Sequence, residues 1–336
     1  MTDLPPPLDD APGDAPGSAA GGPAPSRADV RLAEAGALAV VVFWAANFIV
    51  VKAANQQIPP LTFAFLRFSL AASVLLLGLR WREGSIRMPW SQLRPILALG
   101  AVGFGVYQVL WATALQGIPA GTSAFLIAAT PVMTVFIAVL AGSDVMTRAK
   151  LAGGLVSFGG VAIVVAGGVG LALDSSIGGD LLTIGAALCW AIYASFGAPV
   201  LQRHSPLRTT AWAMVGGAAL LTVPGLLQAG GGHWDAVQPG AWAGLLYSAL
   251  IPAGIANVVV FHAIRLVGPT RITAFQFLVP FIAVLIAALF LGEAIRPEQL
   301  LGGAVIVLGV AITRLGGRVG SGSGFVERLR ALLPEE

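Results

Sequence analysis

The sequence predicts an all-α integral membrane protein of ten transmembrane helices, arranged as two inverted five-helix repeats with both termini in the cytoplasm. Three observations support this prediction: a very apolar composition, ten long apolar stretches, and residue pairs that recur at a nearly constant spacing. Of the 336 residues, 57% are hydrophobic and only 10% are charged. Soluble domains have about 25% charged residues. The composition therefore excludes both a water-soluble enzyme and a disordered chain.

The two ends of the chain differ from the rest in composition. Residues 1–28 are mostly Pro, Gly, Ala and Asp, and such a segment buries too little apolar surface to offset the entropy lost on ordering. It predicts a disordered cytoplasmic tail, and its acidic character argues against a signal peptide. Residues 317–336 predict a second cytoplasmic tail, in which the FVERLRALL segment forms either a short helix on the membrane surface or a frayed end.

Ten apolar stretches lie between these tails. Each is close to the ~20 residues that span the hydrocarbon core of a bilayer as a helix. None has the short length or the alternating polarity of a strand in a membrane barrel. The predicted helices are 31–54, 60–80, 93–115, 119–141, 148–169, 179–201, 208–228, 240–265, 270–292 and 298–316.

Basic residues fix the orientation of the predicted helices. All of the 19 Lys and Arg residues except Lys52, Arg67 and Arg296 fall in the tails or in loops on one side of the membrane. Positively charged loops remain in the cytoplasm. The sequence therefore predicts that both termini are cytoplasmic and that the protein lies in the inner, or plasma, membrane.

Residue pairs recur between the two halves of the chain. Trp44 and Trp190 lie 146 residues apart, and several later pairs lie 149 residues apart. These later pairs are Pro131 with Pro280, Asp144 with Glu293, Gly153 with Gly302, and Gly160 with Gly309. The spacings predict a duplicated unit, with one copy at 31–169 and the other at 179–316.

The odd number of helices in each copy has a geometric consequence. Equivalent helices must cross the bilayer in opposite directions, so a pseudo-two-fold axis lies in the membrane plane. Secondary transporters are built in this way, with the substrate site near the midplane where the repeats meet. The sequence thus predicts a carrier that opens alternately to either side of the membrane.

Several motifs, taken in order, resemble the drug/metabolite transporter superfamily and, within it, the EamA type with ten helices. They are Trp44-Ala-Ala-Asn47-Phe48 followed by Lys52, Pro60 with Arg67 downstream, and Pro131 and Pro280, each followed by an acidic residue and a glycine-rich helix. Asp144 stands where the family pattern usually has Glu. The resemblance covers 31–316 and implies export of small metabolites, with amino acids as the first expectation.

Other functions remain as alternatives to amino-acid export. The first is export of another small metabolite or a drug-like compound. An intramembrane enzyme would need a nucleophile paired with a base, and His262 has no evident Ser, Asp or Glu partner in the sequence. A channel would show ion conductance in place of alternating access.

Aromatic and polar side chains deep in the predicted helices are the candidates for substrate binding. An aromatic ring beside a polar group suits a substrate with an apolar body and a zwitterionic head. Otherwise the tryptophans fill space between helices, and the polar groups form hydrogen bonds between helices. The candidates are Trp44, Asn47, Arg67, Tyr107, Gln108, Trp111, Trp190, Tyr193, Asn257, His262 and Gln276.

Two of these candidates have further alternatives. Arg67 lies two turns into the second predicted helix, where a charge must reach water, backbone carbonyls or a substrate carboxylate. His262 is a neutral structural imidazole, a substrate contact or a proton relay. Contact with water or backbone carbonyls is the more common outcome for such an arginine, and a neutral structural imidazole is the more common outcome for such a histidine.

Prolines and glycines in equivalent helices predict mechanical roles. Pro131 and Pro280 each lack a backbone donor, so the helix must kink or open there, either as a gating hinge or as simple curvature. Two further pairs of glycines are spaced seven residues apart, which places each pair on one helix face for close packing. These pairs are Gly153 with Gly160, and Gly302 with Gly309.

Missing motifs complete the prediction. The sequence has no phosphate-binding G-x-x-x-x-G-K-[ST] motif and no His/Cys cluster for a metal. No Asp or Glu lies near a predicted helix centre, where proton or sodium coupling usually needs one. We expect no cofactor, no metal and no enzymatic activity. The expected partners are a small-molecule substrate and the lipid bilayer, without nucleic acid, for a protein that acts as a monomer.

Overall fold

A computed structural model describes residues 26–141, 145–168, 176–257, 259–260, 263 and 275–315. All regular secondary structure in this part of the chain is helical, which confirms the all-α class. Residues 1–25 of the first predicted tail, the whole of the second, Asp144 and His262 lie outside the described residues. The last residues of the first predicted tail are helical, because the first helix begins at Arg27 after its Ser26 cap.

The helices are numbered α1 to α10 in chain order. Among the described residues, α1 to α7 are long and apolar enough to cross a membrane, and α9 and α10 contain shorter apolar segments. The bounds are α1 Arg27–Ala54, α2 Pro60–Glu83, α3 Trp90–Gly117, α4 Ala120–Leu140, α5 Arg148–Gly168, α6 Ser176–Arg203, α7 Pro206–Ala229, α8 Pro239–Ser248, α9 Gln276–Leu291 and α10 Pro297–Leu315.

The helix starts follow from local sequence. Proline occupies the first position of α2, α7, α8 and α10, where its missing N–H is not needed and its fixed φ favours a helix. Ser26 precedes α1 and forms a capping box with Asp29. Ser205 precedes α7, and its hydroxyl accepts the backbone N–H of Arg208.

Large apolar side chains project outward from these helices. Leu140 is 86% exposed and Phe290 is 76% exposed, and similar residues occur on most of the helices. Water would make such a surface unstable, whereas lipid tails cover it without cost. The exposed faces therefore fit a protein embedded in a bilayer.

Two long helix pairs form the lateral parts of the fold. α5 packs along α10, and α2 packs along α7. The α5–α10 contact is close because glycines face each other across it. A Cβ atom on Gly160 would lie 2.6 Å from the Gly302 carbonyl oxygen, and one on Gly302 would lie 2.8 Å from the Gly160 carbonyl oxygen.

The remaining helices meet at the centre. α6 packs against α3 and α4, while α1 packs against α8 and α9, and α4 also contacts α9. The central core around α1, α3 and α4 contains buried Phe48, Phe63, Trp111 and Leu115. This arrangement brings α1, α3, α6 and α8 together around the candidate site.

Two central helices have wide turns that the sequence analysis did not predict. In α3, residues Ala101–Val106 are π-helical, and α8 continues into a π-helical segment, Ala249–Ile255. π-helical turns are rare and occur often at functional sites. The two segments begin 148 residues apart and end 149 residues apart, close to the spacing of the later residue pairs.

Two other helices are interrupted next to proline. Helix α4 breaks between Ile127 and Thr130, and α9 begins with a 3₁₀ turn, Gln276–Leu278, that ends before Pro280. The Ile127 carbonyl accepts the Thr130 hydroxyl at 2.6 Å, and the Gln276 carbonyl accepts the Val279 N–H. Each of these carbonyls lies four residues before a proline, Pro131 or Pro280, which has no N–H to donate to it. Both carbonyls thus accept a hydrogen bond from another donor.

Candidate functional site

The first half of the site lies between α1 and the π-helical segment after α8. The Trp44 indole N–H donates to the Pro252 carbonyl at 3.2 Å. One turn further along α1, the Asn47 side-chain oxygen accepts the Ser248 hydroxyl at 2.6 Å, and this bond is buried. These two contacts fix α1 against the segment where the backbone of α8 widens.

The second half lies between α6 and the π-helical segment of α3. Gly103 makes room for Tyr193, since a Cβ atom on this glycine would lie 2.5 Å from the tyrosine side chain. The Phe104 ring centroid is 5.0 Å from that of Tyr193 and 5.7 Å from that of Trp190. Trp44 of α1 thus contacts the π-helical segment after α8, and Trp190 and Tyr193 of α6 contact the π-helical segment of α3.

An aromatic cluster connects these halves. The ring centroid of Tyr107 is 5.9 Å from that of Trp190 and 6.1 Å from that of Trp111. Trp111 also meets Phe48 edge-on at 5.3 Å, and its indole N–H donates to the Ser123 hydroxyl at 3.0 Å. The cluster offers partly exposed ring faces at Tyr107 and Trp190, while Trp111 is buried.

Two polar candidates beside the cluster lack hydrogen-bond partners in the described part of the chain. The Gln108 side-chain amide is buried, and neither its oxygen nor its nitrogen is paired. The Arg67 Nε is also unpaired, although its guanidinium lies close enough to the Tyr107 hydroxyl to interact electrostatically. Unpaired buried polar groups are costly and mark sites that a ligand or water can satisfy.

No described contact joins Asn257 or Gln276 to the rings of the aromatic cluster. The Asn257 amide donates to the Ala253 carbonyl at 2.7 Å and, at 3.5 Å, to the Pro252 carbonyl, which also accepts the Trp44 indole N–H. Gln276 lies in the 3₁₀ turn that begins α9, and His262 is outside the described residues. Trp44, Asn47, Arg67, Tyr107, Gln108, Trp111, Trp190 and Tyr193 remain as the described central set.

An ion pair between Lys52 and Glu293 lies at one end of the central helices and was not predicted from the sequence. The Lys52 ammonium lies 2.8 Å from the Glu293 carboxylate and also donates to the Ile118 carbonyl at 2.8 Å. Glu293 accepts the backbone N–H groups of Ala120 and Gly121 at the start of α4. The pair thus ties together α1, α4 and the end of α9.

A buried carboxylate was also missed. Asp180 in α6 is 1% exposed, and neither of its oxygens accepts a hydrogen bond within the described ranges. It lies five residues into its helix, so a search for acids at helix centres overlooks it. Its position 146 residues after Glu34, the spacing of Trp44 and Trp190, is the sequence signal that could have identified it.

Comparison with known proteins agrees with this architecture. The model of the EamA-like transporter family matches residues 31–166 and, separately, residues 177–315. The chain is 31% identical to a "Probable terminal-alkyne amino-acid exporter" of Streptantibioticus cattleyicolor, covering 81% of this chain and 90% of that one. It is 27% identical to a "Probable amino-acid metabolite efflux pump" of Salmonella typhimurium, covering 84% and 95%.

A solved crystal structure shares the fold. It aligns with a TM-score of 0.61 at 19% identity, covering 88% of this chain and all of that one. The family match and the apolar helices together identify a multi-pass membrane transporter of small molecules. This chain is a member of the EamA-like transporter family, in the drug/metabolite transporter superfamily.

Proposed function

We propose that this protein is a secondary transporter that exports amino acids with neutral or aromatic side chains by alternating access. The substrate binds in a cavity lined by the aromatic cluster, between two inverted five-helix repeats. It acts as a monomer in the inner, or plasma, membrane, with both termini in the cytoplasm and without enzymatic chemistry.

The contacts between helices support the inverted repeat. If α1 to α5 are exchanged with α6 to α10, the α3–α6 contact becomes the α8–α1 contact, and α4–α6 becomes α9–α1. The same exchange leaves the α2–α7, α4–α9 and α5–α10 pairs unchanged. A pseudo-two-fold axis predicts this set of contacts, and the double match of the family model has the same period.

The main observation behind the proposal is the pair of equivalent contacts at the π-helical segments. Trp44 meets the segment after α8, and Trp190 with Tyr193 meets the segment in α3. A rocking motion that loosens one contact while the other stays closed gives access from opposite sides in turn. Two similar interfaces of inverted direction are what this mechanism requires.

The chemistry of the cluster supports the substrate class. Ring faces of Tyr107 and Trp190 can cover an apolar or aromatic side chain. The unpaired groups of Gln108 and Arg67 can bind a polar head. Two relatives whose names refer to amino acids point the same way.

Topology provides a first prediction. Because each proposed repeat has five helices, reporters fused before Met1 and after Glu336 should both lie in the cytoplasm. A reporter inserted at 230–233, between α7 and α8, should lie on the opposite side. Fluorescence of GFP and activity of alkaline phosphatase at each position measure this. Termini on opposite sides would contradict the inverted repeat.

Transport provides the second prediction. We expect proteoliposomes containing the protein to take up labelled neutral or aromatic amino acids with saturable kinetics. Trp44→Ala and Trp190→Ala should each lower the uptake at least about tenfold, because each removes ring contacts worth about 1 kcal/mol or more and weakens a central interface. Initial rates with a panel of labelled amino acids measure this.

The matched control is Trp81→Ala, since Trp81 at the end of α2 is 87% exposed. It should leave uptake unchanged. Loss of uptake in all three variants would remove the case for a central cavity. If wild-type protein takes up none of the amino acids but takes up another metabolite or a drug-like compound, the substrate class is wrong and the fold assignment stands.

A further inference from the structure

Arg67 is enclosed in the membrane-spanning part of the protein without a counter-charge. It is 7% exposed, and within the described ranges it forms neither a hydrogen bond nor an ion pair. Its guanidinium carbon lies 5.0 Å from the ring centroid of the adjacent Phe68, and Tyr107 is near enough for an electrostatic interaction. Neither aromatic residue neutralises the positive charge.

Arg208 shows how this chain satisfies an arginine that serves structure. Its guanidinium lies 3.0 Å from the Glu83 carboxylate and donates to the Ser85 and Arg87 carbonyls. Those contacts join the end of α2 to the start of α7. Arg67 has neither a carboxylate partner nor a carbonyl acceptor within the described ranges, although it is more deeply buried than Arg208.

The acidic groups of the described core do not compensate Arg67. Glu293 is bound to Lys52 and to the start of α4. The Asp180 carboxylate is buried but accepts no hydrogen bond, from Arg67 or any other described donor. An enclosed cation without a partner costs several kcal/mol and, within a membrane, indicates a functional partner.

We propose that Arg67 binds the carboxylate of the transported substrate, so that the protein selects small carboxylic acids with an apolar or aromatic body. This inference rests on the proposed transport function and adds the group that the site recognises. Arginine suits this role because its planar guanidinium binds a carboxylate through two parallel hydrogen bonds.

Tyr107 connects the charged and apolar parts of this site. It lies on α3, which packs against α2 beside Arg67, where the rings of Phe68 and Phe104 are 5.5 Å apart. The Tyr107 ring lies 5.9 Å from that of Trp190 and 6.1 Å from that of Trp111. A carboxylate at Arg67 therefore has a side chain of the same molecule within reach of the aromatic cluster. An amino acid with an aromatic side chain has this combination of groups.

The test compares labelled phenylalanine with phenylalaninamide, which lacks the carboxylate and keeps the ring and the amine. Wild-type proteoliposomes should take up phenylalanine about tenfold faster or more, as expected for charge-assisted hydrogen bonds made to one probe only. Arg67→Gln should remove this preference by slowing phenylalanine uptake alone. Arg67→Lys should retain part of the preference, since the charge remains without the planar geometry.

The control is Arg94→Gln, which removes an equal charge from an exposed position at the start of α3 and should keep the wild-type preference. Arg67→Gln should also raise the unfolding temperature by a few degrees, because it removes an unpaired enclosed charge. If Arg67→Gln folds and still prefers phenylalanine, or slows both probes equally, the inference is wrong.

Binding in detergent separates this inference from the proposed function. Quenching of tryptophan fluorescence by 3-phenylpropionate, a carboxylate without the amine, should saturate with wild-type protein and should be lost in Arg67→Gln. If quenching behaves this way but no uptake occurs, the carboxylate site stands and the transport proposal fails. If uptake occurs but quenching is equal in both proteins, the transport proposal stands and the inference is overturned.

Discussion

Gly160→Ala is expected to disrupt the contact between α5 and α10. The new Cβ atom would lie 2.6 Å from the Gly302 carbonyl oxygen and 2.6 Å from the Ile306 amide nitrogen. Both atoms belong to the backbone, so no change of side-chain rotamer can make room and the helices must separate. Overpacking against side chains costs about 1–3 kcal/mol, and we expect at least about 3 kcal/mol here.

The adjacent residue is a matched control. A Cβ atom on Gly159 would meet nothing within 4 Å, and this position is exposed on the same helix. Gly159→Ala should leave stability unchanged or raise it by up to about 1 kcal/mol, since alanine favours the helix. The two variants have the same composition, so they differ only in the face that receives the methyl group.

The difference in stability between the two variants is measured by thermal unfolding of the purified proteins. Circular dichroism and the loss of monodisperse protein on gel filtration follow the transition. We expect the Gly160→Ala transition to fall well below that of Gly159→Ala, together with reduced uptake. Equal transition temperatures for the two variants would show that α5 and α10 do not pack as described.

The glycine faces of α5 and α10 could be predicted because spacing alone places residues on a helix face, whereas the pairing of these two helices could not. Gly153 and Gly160 are two turns apart, and so are Gly302 and Gly309, so each pair must share a face. In the structure α5 and α10 pack along their length, and these glycines lie at the contact. Four helix starts were also predictable from sequence, since proline occupies the first position of α2, α7, α8 and α10.

The π-helical segments could not be predicted in the same way. A stretch such as 101–106 has the composition of an ordinary transmembrane helix, and its wide turn depends on what packs beside it. Tyr193 lies against Gly103, but that contact joins residues far apart in sequence. Pro131 did indicate an interruption of α4, although the structure places the break two to three residues before the proline.

Ion pairs between distant residues were beyond sequence reasoning. Lys52 and Glu293 are separated by 241 residues, and each lies close enough to a helix end to be explained by solvent exposure. Only the packing of α1 against α9 brings them together. Asp180 shows part of this limit: its spacing from Glu34 is visible in the sequence, but its burial depends on the neighbouring helices.

Glu293→Gln is expected to loosen the end of the protein where α1, α4 and α9 meet. The carboxylate lies 2.8 Å from the Lys52 ammonium and accepts the Ala120 N–H at 3.0 Å. Helix N-termini favour negative charge, so the glutamine loses attraction to both groups. Charge-assisted hydrogen bonds that are partly buried contribute about 1.5–3 kcal/mol.

By the proposed topology this end faces the outside, so we expect the ion pair to hold the outer side of the protein closed. Weakening it should shift the protein toward states open to the outside by about tenfold or more, since 1.4 kcal/mol corresponds to a factor of ten. Cys189 is the only cysteine in the sequence, and it precedes Trp190, whose ring lies 5.9 Å from that of Tyr107. It is therefore a native reporter of access to the centre.

An impermeant maleimide added from outside should label Cys189 about tenfold faster in Glu293→Gln than in wild-type protein. Glu298→Gln is the control, because Glu298 is exposed at the start of α10, in the first turn after the same loop. It should leave the labelling rate unchanged.

Lys52→Met should accelerate labelling as Glu293→Gln does, and the double variant should add little, because both changes break the same bond. Equal labelling rates in wild-type protein and Glu293→Gln would mean that the ion pair does not control outer access, and additive effects in the double variant would mean that Lys52 and Glu293 act separately.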